Sequence, residues 1–466
     1  MMLEKIVGRL KIGLIRPKYD SHLITPPLGL GYISSYLKAK GYETKVIDGL
    51  NHGYNLSEIA NLCVGFDVVG INCLSAYFSQ VVFLSRLLKK KGVKVVVGGA
   101  HASALPELTL DQTGADFVVV GEGEAAMAEI AESIENGSFG NNKICGTISR
   151  RDSNLVKRET IKDLDILPMP DWDQIDPRIY KKAPHGGLVK SFPVAPIIST
   201  RGCPFECTFC ASPFLWDKRI RFRSPESVVN EIEYLTKRFN VREIHFEDDN
   251  LTLKRDHIEK ICRLIIEKKI KINWATPNGI RVDSIDEDLL KLMKRSGCYF
   301  LAFGIESGNQ NILERVKKKT DLAIIERVVK MVKKAGIVTQ GFFIFGLPGE
   351  TEKTILETIK FSVKLPLDKA QFLVLDVLPG SELWKSLGSK RLVEWDYKSY
   401  QEATWIPEGL TQGKLNYMVG CAFRKFFFRP RQIMFTLRYI KPGQIPFVIK
   451  RIMDFGVFNF SWYRKV

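Results

Sequence analysis

Hydrophobic and polar positions along this chain fall into two long series of alternating short apolar runs and helical stripes. In the first series KIGLIRP (11–17), TKVIDG (44–49), DVVGINCL (67–74), VKVVVGGAH (93–101) and DFVVVGEGE (116–124) read as strands. LGLGYISSYLKAKGYE (28–43), LSEIANLCVGF and SQVVFLSRLLKKKG (79–92) read as helices, and another opens at Glu124. Unbroken apolar strands between amphipathic helices predict a parallel sheet covered on both faces. The fold class is therefore α/β, with a doubly wound, Rossmann-like domain over 1–145. The span 146–190 contains KDLDILPMPDWDQIDP, whose Pro and Asp density predicts a linker with short turns.

The second series runs over 191–400. Its strand patterns are APIIST (195–200), REIHFEDD (242–249), KINWATP (271–277), YFLAFGIESG (299–308), VTQGFFIFGLPGE (338–350) and AQFLVLDVLPG (370–380). Amphipathic stretches separate them. Six βα units predict a partial (β/α)6 barrel, open on one side, with its site at the strand C-termini. Residues 401–466 read as a helical, basic and aromatic extension.

Charge changes this picture at one end only. The net charge is +17, from 69 Lys and Arg against 52 Asp and Glu. Residues 421–466 hold ten basic residues, one acid (Asp454) and twelve aromatics, hence +9 of the excess. Nucleic-acid affinity would spread a basic field more broadly. A basic aromatic tail points to peripheral contact with an anionic membrane surface, or to an amphiphilic ligand; packing under the barrel accounts for the same aromatics. Pro430, Pro442 and Pro446 exclude one continuous helix. No uncharged apolar run is long enough to span a bilayer, and the start MMLEKIVGRLKIGLIRP lacks a signal peptide's h-region, so a cytoplasmic location is expected.

Ligands of open parallel sheets bind at the carboxyl ends of the strands. There the first domain offers Asn72-Cys73-Leu74, Gly98-Gly99-Ala100-His101 and Gly121-Glu122-Gly123-Glu124. Glycines at these ends let a ligand approach the backbone, although plain loop punctuation uses them too. The sharper signal follows the first barrel strand: Thr200-Arg-Gly-Cys203-Pro-Phe-Glu-Cys207-Thr-Phe-Cys210. Three thiolates on one loop suit three corners of a [4Fe–4S] cluster and leave one iron open. Structural zinc needs a fourth ligand that no local histidine supplies. The other six cysteines (63, 73, 145, 262, 298 and 421) lie scattered and read as apolar fillers.

The C-x3-C-x2-C spacing, with Phe209 before its last cysteine, resembles the radical S-adenosylmethionine (SAM) superfamily. The resemblance implies that Cys203, Cys207 and Cys210 ligate the cluster, whose open iron chelates SAM. It places Phe209 near the adenine and gives the strand end Glu247-Asp248-Asp249-Asn250 the SAM ammonium, without separating Asp248 from Asp249. Glu306 would bond the ribose hydroxyls, and Gly346 and Gly349 would shape the adenine pocket. The first domain resembles the cobalamin-binding domain that precedes the barrel in one large subgroup, through Pro26-Pro27-Leu28-Gly29-Leu30-Gly31-Tyr32 and the glycine-bearing strand ends. Pro27, Leu28, Asn72, Leu74, Gly98, Gly99, Ala100, Gly121, Glu122 and Gly123 would then line cobalamin. Asp20-Ser-His22 lacks the glycine of the cobalt-ligating Asp-x-His-x-x-Gly pattern, so His22 reads as a loop histidine. The implied activity is methylation of an unactivated carbon on a small-molecule or lipid-like substrate, with a flavodoxin- or ferredoxin-type electron donor. Cyclisation, rearrangement or carbon–carbon coupling would use the same cofactors, and RNA modification or a non-enzymatic cobalamin sensor are further alternatives. Nothing in the sequence names the residue that quenches the product radical.

Overall fold

The computed structural model of the protein describes residues 10–21, 24–140, 143–180, 189–388 and 403–439, with single positions at 442, 445 and 449. The chain divides at Asp176/Pro177 into two compact units.

The first unit is built on strands β1 (Lys11–Arg16), β2 (Glu43–Asp48), β3 (Val68–Asn72), β4 (Lys94–Gly98), β5 (Phe117–Val119) and β6 (Thr147–Ser149), in the order β2-β1-β3-β4-β5-β6. The first five run parallel and β6 pairs antiparallel to β5. The order reverses between β1 and β3, which opens a crevice beyond their carboxyl ends. Ile15, Val69, Ile71, Val95 and Val97 form one face of the core with Val81, Leu84 and Leu88 of the helix Phe78–Lys90. The segment after β5 stays with this unit. Asp171 accepts from Ser34 Oγ at 2.6 Å, and Gln174 Oε1 accepts from Val46 N at 2.7 Å. A Cβ on Gly31 would meet Ile175 at 2.6 Å, so the glycine gives this segment its seat on the helix Leu28–Ala39. The Pro and Asp density of 146–176 thus marks a change from long elements to short ones; it does not mark a free span.

The second unit holds β7 (Val194–Ile197), β8 (Thr200–Arg201), β9 (Arg221–Phe222), β10 (Glu243–Phe246), β11 (Asn273–Ile280), β12 (Cys298–Glu306), β13 (Val338–Phe345) and β14 (Lys369–Val374). Six of these form a parallel sheet in sequential order from β7 through β10 to β14, while β8 and β9 make a separate two-stranded ribbon. Among the described residues β7 and β14 do not pair with each other, as expected of a six-unit barrel open on one side.

The open flank at β14 is covered by the chain's own tail. The helix Gln412–Phe427 buries Leu415, Met418, Val419, Ala422, Phe423 and Phe426. Phe372 of β14 lies edge-on to Phe423 and Phe426, with centroids 5.3 and 6.2 Å away. Beyond it Arg429 Nη1 donates to Val363 O at 2.6 Å and Gln432 Nε2 to Leu367 O at 2.7 Å. Most of the basic aromatic stretch up to Gln432 is thus barrel packing. The following helix, Pro430–Tyr439, leaves Ile433, Met434 and Leu437 exposed. No helix of the described residues is long and apolar enough to cross a membrane.

Candidate active site

The cysteine loop leaves the barrel between β8 and the short helix Ser212–Leu215. Its geometry depends on Gly202, with φ +100°. A Cβ there would lie 2.1 Å from Arg219 O, so no other residue fits at the turn into Cys203. Cys210 N donates to Cys207 O at 3.0 Å, and Thr208 is tied to Val316 O and Leu383 N. All three cysteines are free and half-buried. Burial raises each thiol's pKa, that of Cys210 to about 12, so metal binding must drive the protons off. Among the described residues no three His, Cys, Asp or Glu side chains converge on a single ion. A cubane asks for no such convergence, because each thiolate takes a different iron.

Around this loop the structure separates residues that sequence left equivalent. Asp248 is fully buried and points back at the barrel. Its Oδ1 accepts from Ser199 N, Ser199 Oγ and Thr200 Oγ1 at 3.1, 2.7 and 2.6 Å. Burial outweighs these bonds and raises its pKa to about 6. Asp249 instead turns toward the cysteine loop from the end of β10: it accepts from Ser212 Oγ at 3.0 Å and from the Gly202 N–H, and its residue is exposed. Phe209 is half-buried on the cysteine loop itself. Glu306 ends β12 in the left-handed region, φ +66°, and its Oε1 accepts from the buried Lys318 Nζ at 2.7 Å. Gly346 and Gly349, φ +91° and +80°, form the turn after β13. Glu350 Oε2 closes that turn by accepting from Gly346 N at 2.6 Å and Leu347 N at 3.1 Å.

Two residues of this shell have no sequence-level assignment. Arg281 stacks its guanidinium 3.7 Å above the Phe205 ring, inside the Cys203–Cys207 segment. It also grips Asp283 and donates to Lys318 O and Lys319 O at 2.8 and 2.7 Å. Lys318 is the second. The basic run Lys317-Lys318-Lys319, shortly after Gly304-Ile-Glu306, was the signal available for it.

In the first unit the three strand ends meet expectation unevenly. Pro27 precedes the helix whose first residue is the buried Leu28. Asn72 ends β3 and accepts a short hydrogen bond from Tyr77 Oη, while Leu74 is 37% exposed. A Cβ on Gly98 would meet only Val119 at ordinary contact, 3.5 Å. Gly99, φ +117°, could carry no Cβ, with Cys73 O at 2.6 Å, and Ala100 starts the next helix. Gly121, φ +86°, faces open space. Glu122 accepts from Ile161 N at 2.8 Å, and Gly123 packs on Ile33. His22 lies outside the described residues. The open space at Gly121 and the exposed Leu74 fit a large planar ligand lying over the strand ends.

Three thiols on a loop at the mouth of a parallel barrel, with acidic strand ends beside them, define an iron–sulfur enzyme with one iron left for a small ligand. Residues 197–362 match the radical SAM superfamily model, and residues 20–131 match the B12 binding domain model. An uncharacterized methyltransferase of Pyrococcus horikoshii is 30% identical over 445 residues, covering 91% of this chain and 94% of that one. Cytidylyl-2-hydroxyethylphosphonate methyltransferase of Streptomyces wedmorensis is 30% identical over 453 residues, covering 84% of each. The fold matches that of TsrM, a radical SAM methyltransferase from Kitasatospora setae solved with cobalamin and a [4Fe–4S] cluster, at TM-score 0.72 and 17% identity over 91% of this chain and 89% of that one. The chain belongs to the radical SAM superfamily, among the members that carry a B12-binding domain ahead of the barrel. It is an enzyme whose cofactors are a [4Fe–4S] cluster, SAM and cobalamin.

Proposed function

We propose that the protein transfers a methyl group to an unactivated carbon of a small-molecule substrate. One observation carries this reading: a three-cysteine barrel loop and a cobalamin-type domain share a chain that is 30% identical to each of two proteins named as methyltransferases. When bound, the cluster and SAM supply the hydrogen-abstracting 5′-deoxyadenosyl radical, and cobalamin supplies the methyl group. The protein supplies position. Cys203, Cys207 and Cys210 hold three irons. Asp249, which reaches the loop from the end of β10, is the partner for the SAM ammonium, while Asp248 braces β10 against Ser199 and Thr200. Phe209, Gly346 and Gly349 bound the adenine, and Glu306, held by Lys318, faces the ribose. Pro27, Leu28, Asn72, Leu74, Gly98–Ala100 and Gly121–Gly123 receive cobalamin. The electron comes from a flavodoxin- or ferredoxin-class donor in the cytoplasm. The test is turnover of small-molecule extracts by the anaerobically reconstituted enzyme with methyl-deuterated SAM. A product carrying the labelled methyl, with 5′-deoxyadenosine, is expected; an unlabelled, rearranged product would point to cyclase chemistry.

A second reading, a lipid-like substrate met at an anionic membrane, is supported by exposed Ile433, Met434 and Leu437 beside Arg438. The docking of Arg429 on the barrel counts against it. Flotation of the full-length protein with anionic vesicles at low salt, lost as salt rises, would support it.

A further inference from the structure

Lys318 is placed at a cost that packing alone does not explain. Its ammonium is buried, with side-chain exposure of 10%. Lys317 and Lys319 on either side both occupy the left-handed region, φ 55° and 50°. Lys317 follows Val316, the cap of the helix Gln310–Arg315, at a place glycine usually takes. Arg281 then fixes the turn by bonding both the Lys318 and Lys319 carbonyls. Room for the side chain comes from Gly304: a Cβ there would lie 2.8 Å from Lys318 Nζ and 2.5 Å from Glu306 Oε1. A strained turn, a guanidinium clamp and a missing Cβ together deliver one positive charge to the interior.

That charge lies by the cluster loop. Thr208 N, next to Cys207, donates to Val316 O at 3.1 Å, two residues before Lys318. Arg281, which bonds the Lys318 carbonyl at 2.8 Å, stacks on Phe205 inside the loop at 3.7 Å. Glu306 Oε1, 2.7 Å from Nζ, pairs with the ammonium and keeps it charged.

We propose that Lys318 is a positioning and tuning residue: its fixed charge raises the reduction potential of the cluster on Cys203, Cys207 and Cys210, and Glu306 partly offsets it. The inference rests on the radical SAM reading of that loop. The couple concerned is the one-electron step between the 2+ and 1+ cluster cores, with the electron supplied by a flavodoxin- or ferredoxin-class donor and no bond made or broken. Three thiolates make the 2+ core anionic overall, and reduction adds a further negative charge. A buried cation close by stabilises the reduced form more than the oxidised one.

The experiment is an EPR-monitored redox titration of the anaerobically reconstituted full-length protein, without substrate, for the wild type, K318M, K318R, E306Q and the double variant E306Q/K318M. Iron and sulfide content report whether each cluster is intact. The expected pattern is signed. K318M moves the midpoint to more negative potential, E306Q moves it to less negative potential, and K318R stays near the wild type. The double variant, which leaves no buried charge unpaired, falls below E306Q. A merely structural lysine would lower cluster occupancy without this order of potentials. Equal midpoints in intact E306Q and E306Q/K318M would overturn the inference even if K318M alone failed to fold, and would leave the cluster assignment standing. A wild-type protein that takes up no cluster would overturn both.

Discussion

At the scale of single residues, the cluster loop is specified by three thiols and one missing Cβ. Replacing Cys203, Cys207 or Cys210 by Ala removes a ligand, so iron content and the ~400 nm absorbance of the reconstituted protein should collapse. Cys262→Ala, buried in a helix, should leave both unchanged. The two adjacent glycines after β4 should behave differently. Gly98→Ala meets only Val119 at 3.5 Å, so the fold should tolerate it while cobalamin uptake falls. Gly99→Ala would force a Cβ to 2.6 Å from Cys73 O at φ +117°, and should lower the melting temperature before any ligand is added. Differential scanning fluorimetry with and without cobalamin separates the two. The cysteines were legible because their meaning lies in local spacing. The division between Asp248 and Asp249 was not, since adjacent strand-end residues differ only in which neighbour each one meets: Ser199 and Thr200 for one, Ser212 for the other.

At the scale of elements, period and punctuation carried the reading. Each strand read from the two series formed on its apolar run, with ends that shifted: β7 stops at Ile197, leaving Thr200 to the separate ribbon, and β11 runs on through Pro277 to Ile280. β6 has three residues and gains its identity only by pairing with β5, so no local signal could find it. The clamp from Arg281 to Phe205 and Lys318 joins segments far apart in the chain, which periodicity cannot report. The turn after β13 has a testable pH signature. Burial raises the Glu350 pKa to about 8 from 4.5, against the opposing bonds from Gly346 and Leu347. Between those values the folded chain keeps a proton that the unfolded chain has released, so Glu350 makes stability fall as pH rises from about 4.5 to about 8. Glu350→Gln keeps the acceptor and removes the titration. Melting curves of the variant should change less with pH across that window than those of the wild type, and the variant should gain most near pH 8.

At the scale of the whole molecule, composition located the basic tail but not its use. Twelve aromatics and ten basic residues describe a membrane-binding segment and a barrel cover equally well, because hydrophobicity does not say which surface will be covered. The structure puts Phe423 and Phe426 on Phe372, so the tail's first helix closes the β14 edge. Phe426→Ala should cost about 3–5 kcal/mol and lower the denaturation midpoint of the barrel unit. Truncation after Gly420 should yield aggregated protein, because it removes Phe423, Phe426, Arg429 and Gln432 together.

The central claim is that three cysteines hold a [4Fe–4S] cluster whose fourth iron is open to SAM. EPR spectroscopy of the anaerobically reconstituted, reduced protein, recorded before and after addition of SAM, tests it most directly. The account expects about four irons per chain and a spectrum that changes shape when SAM binds, with both features lost in Cys207→Ala. A cluster spectrum indifferent to SAM, or one that survives in Cys207→Ala, would contradict it.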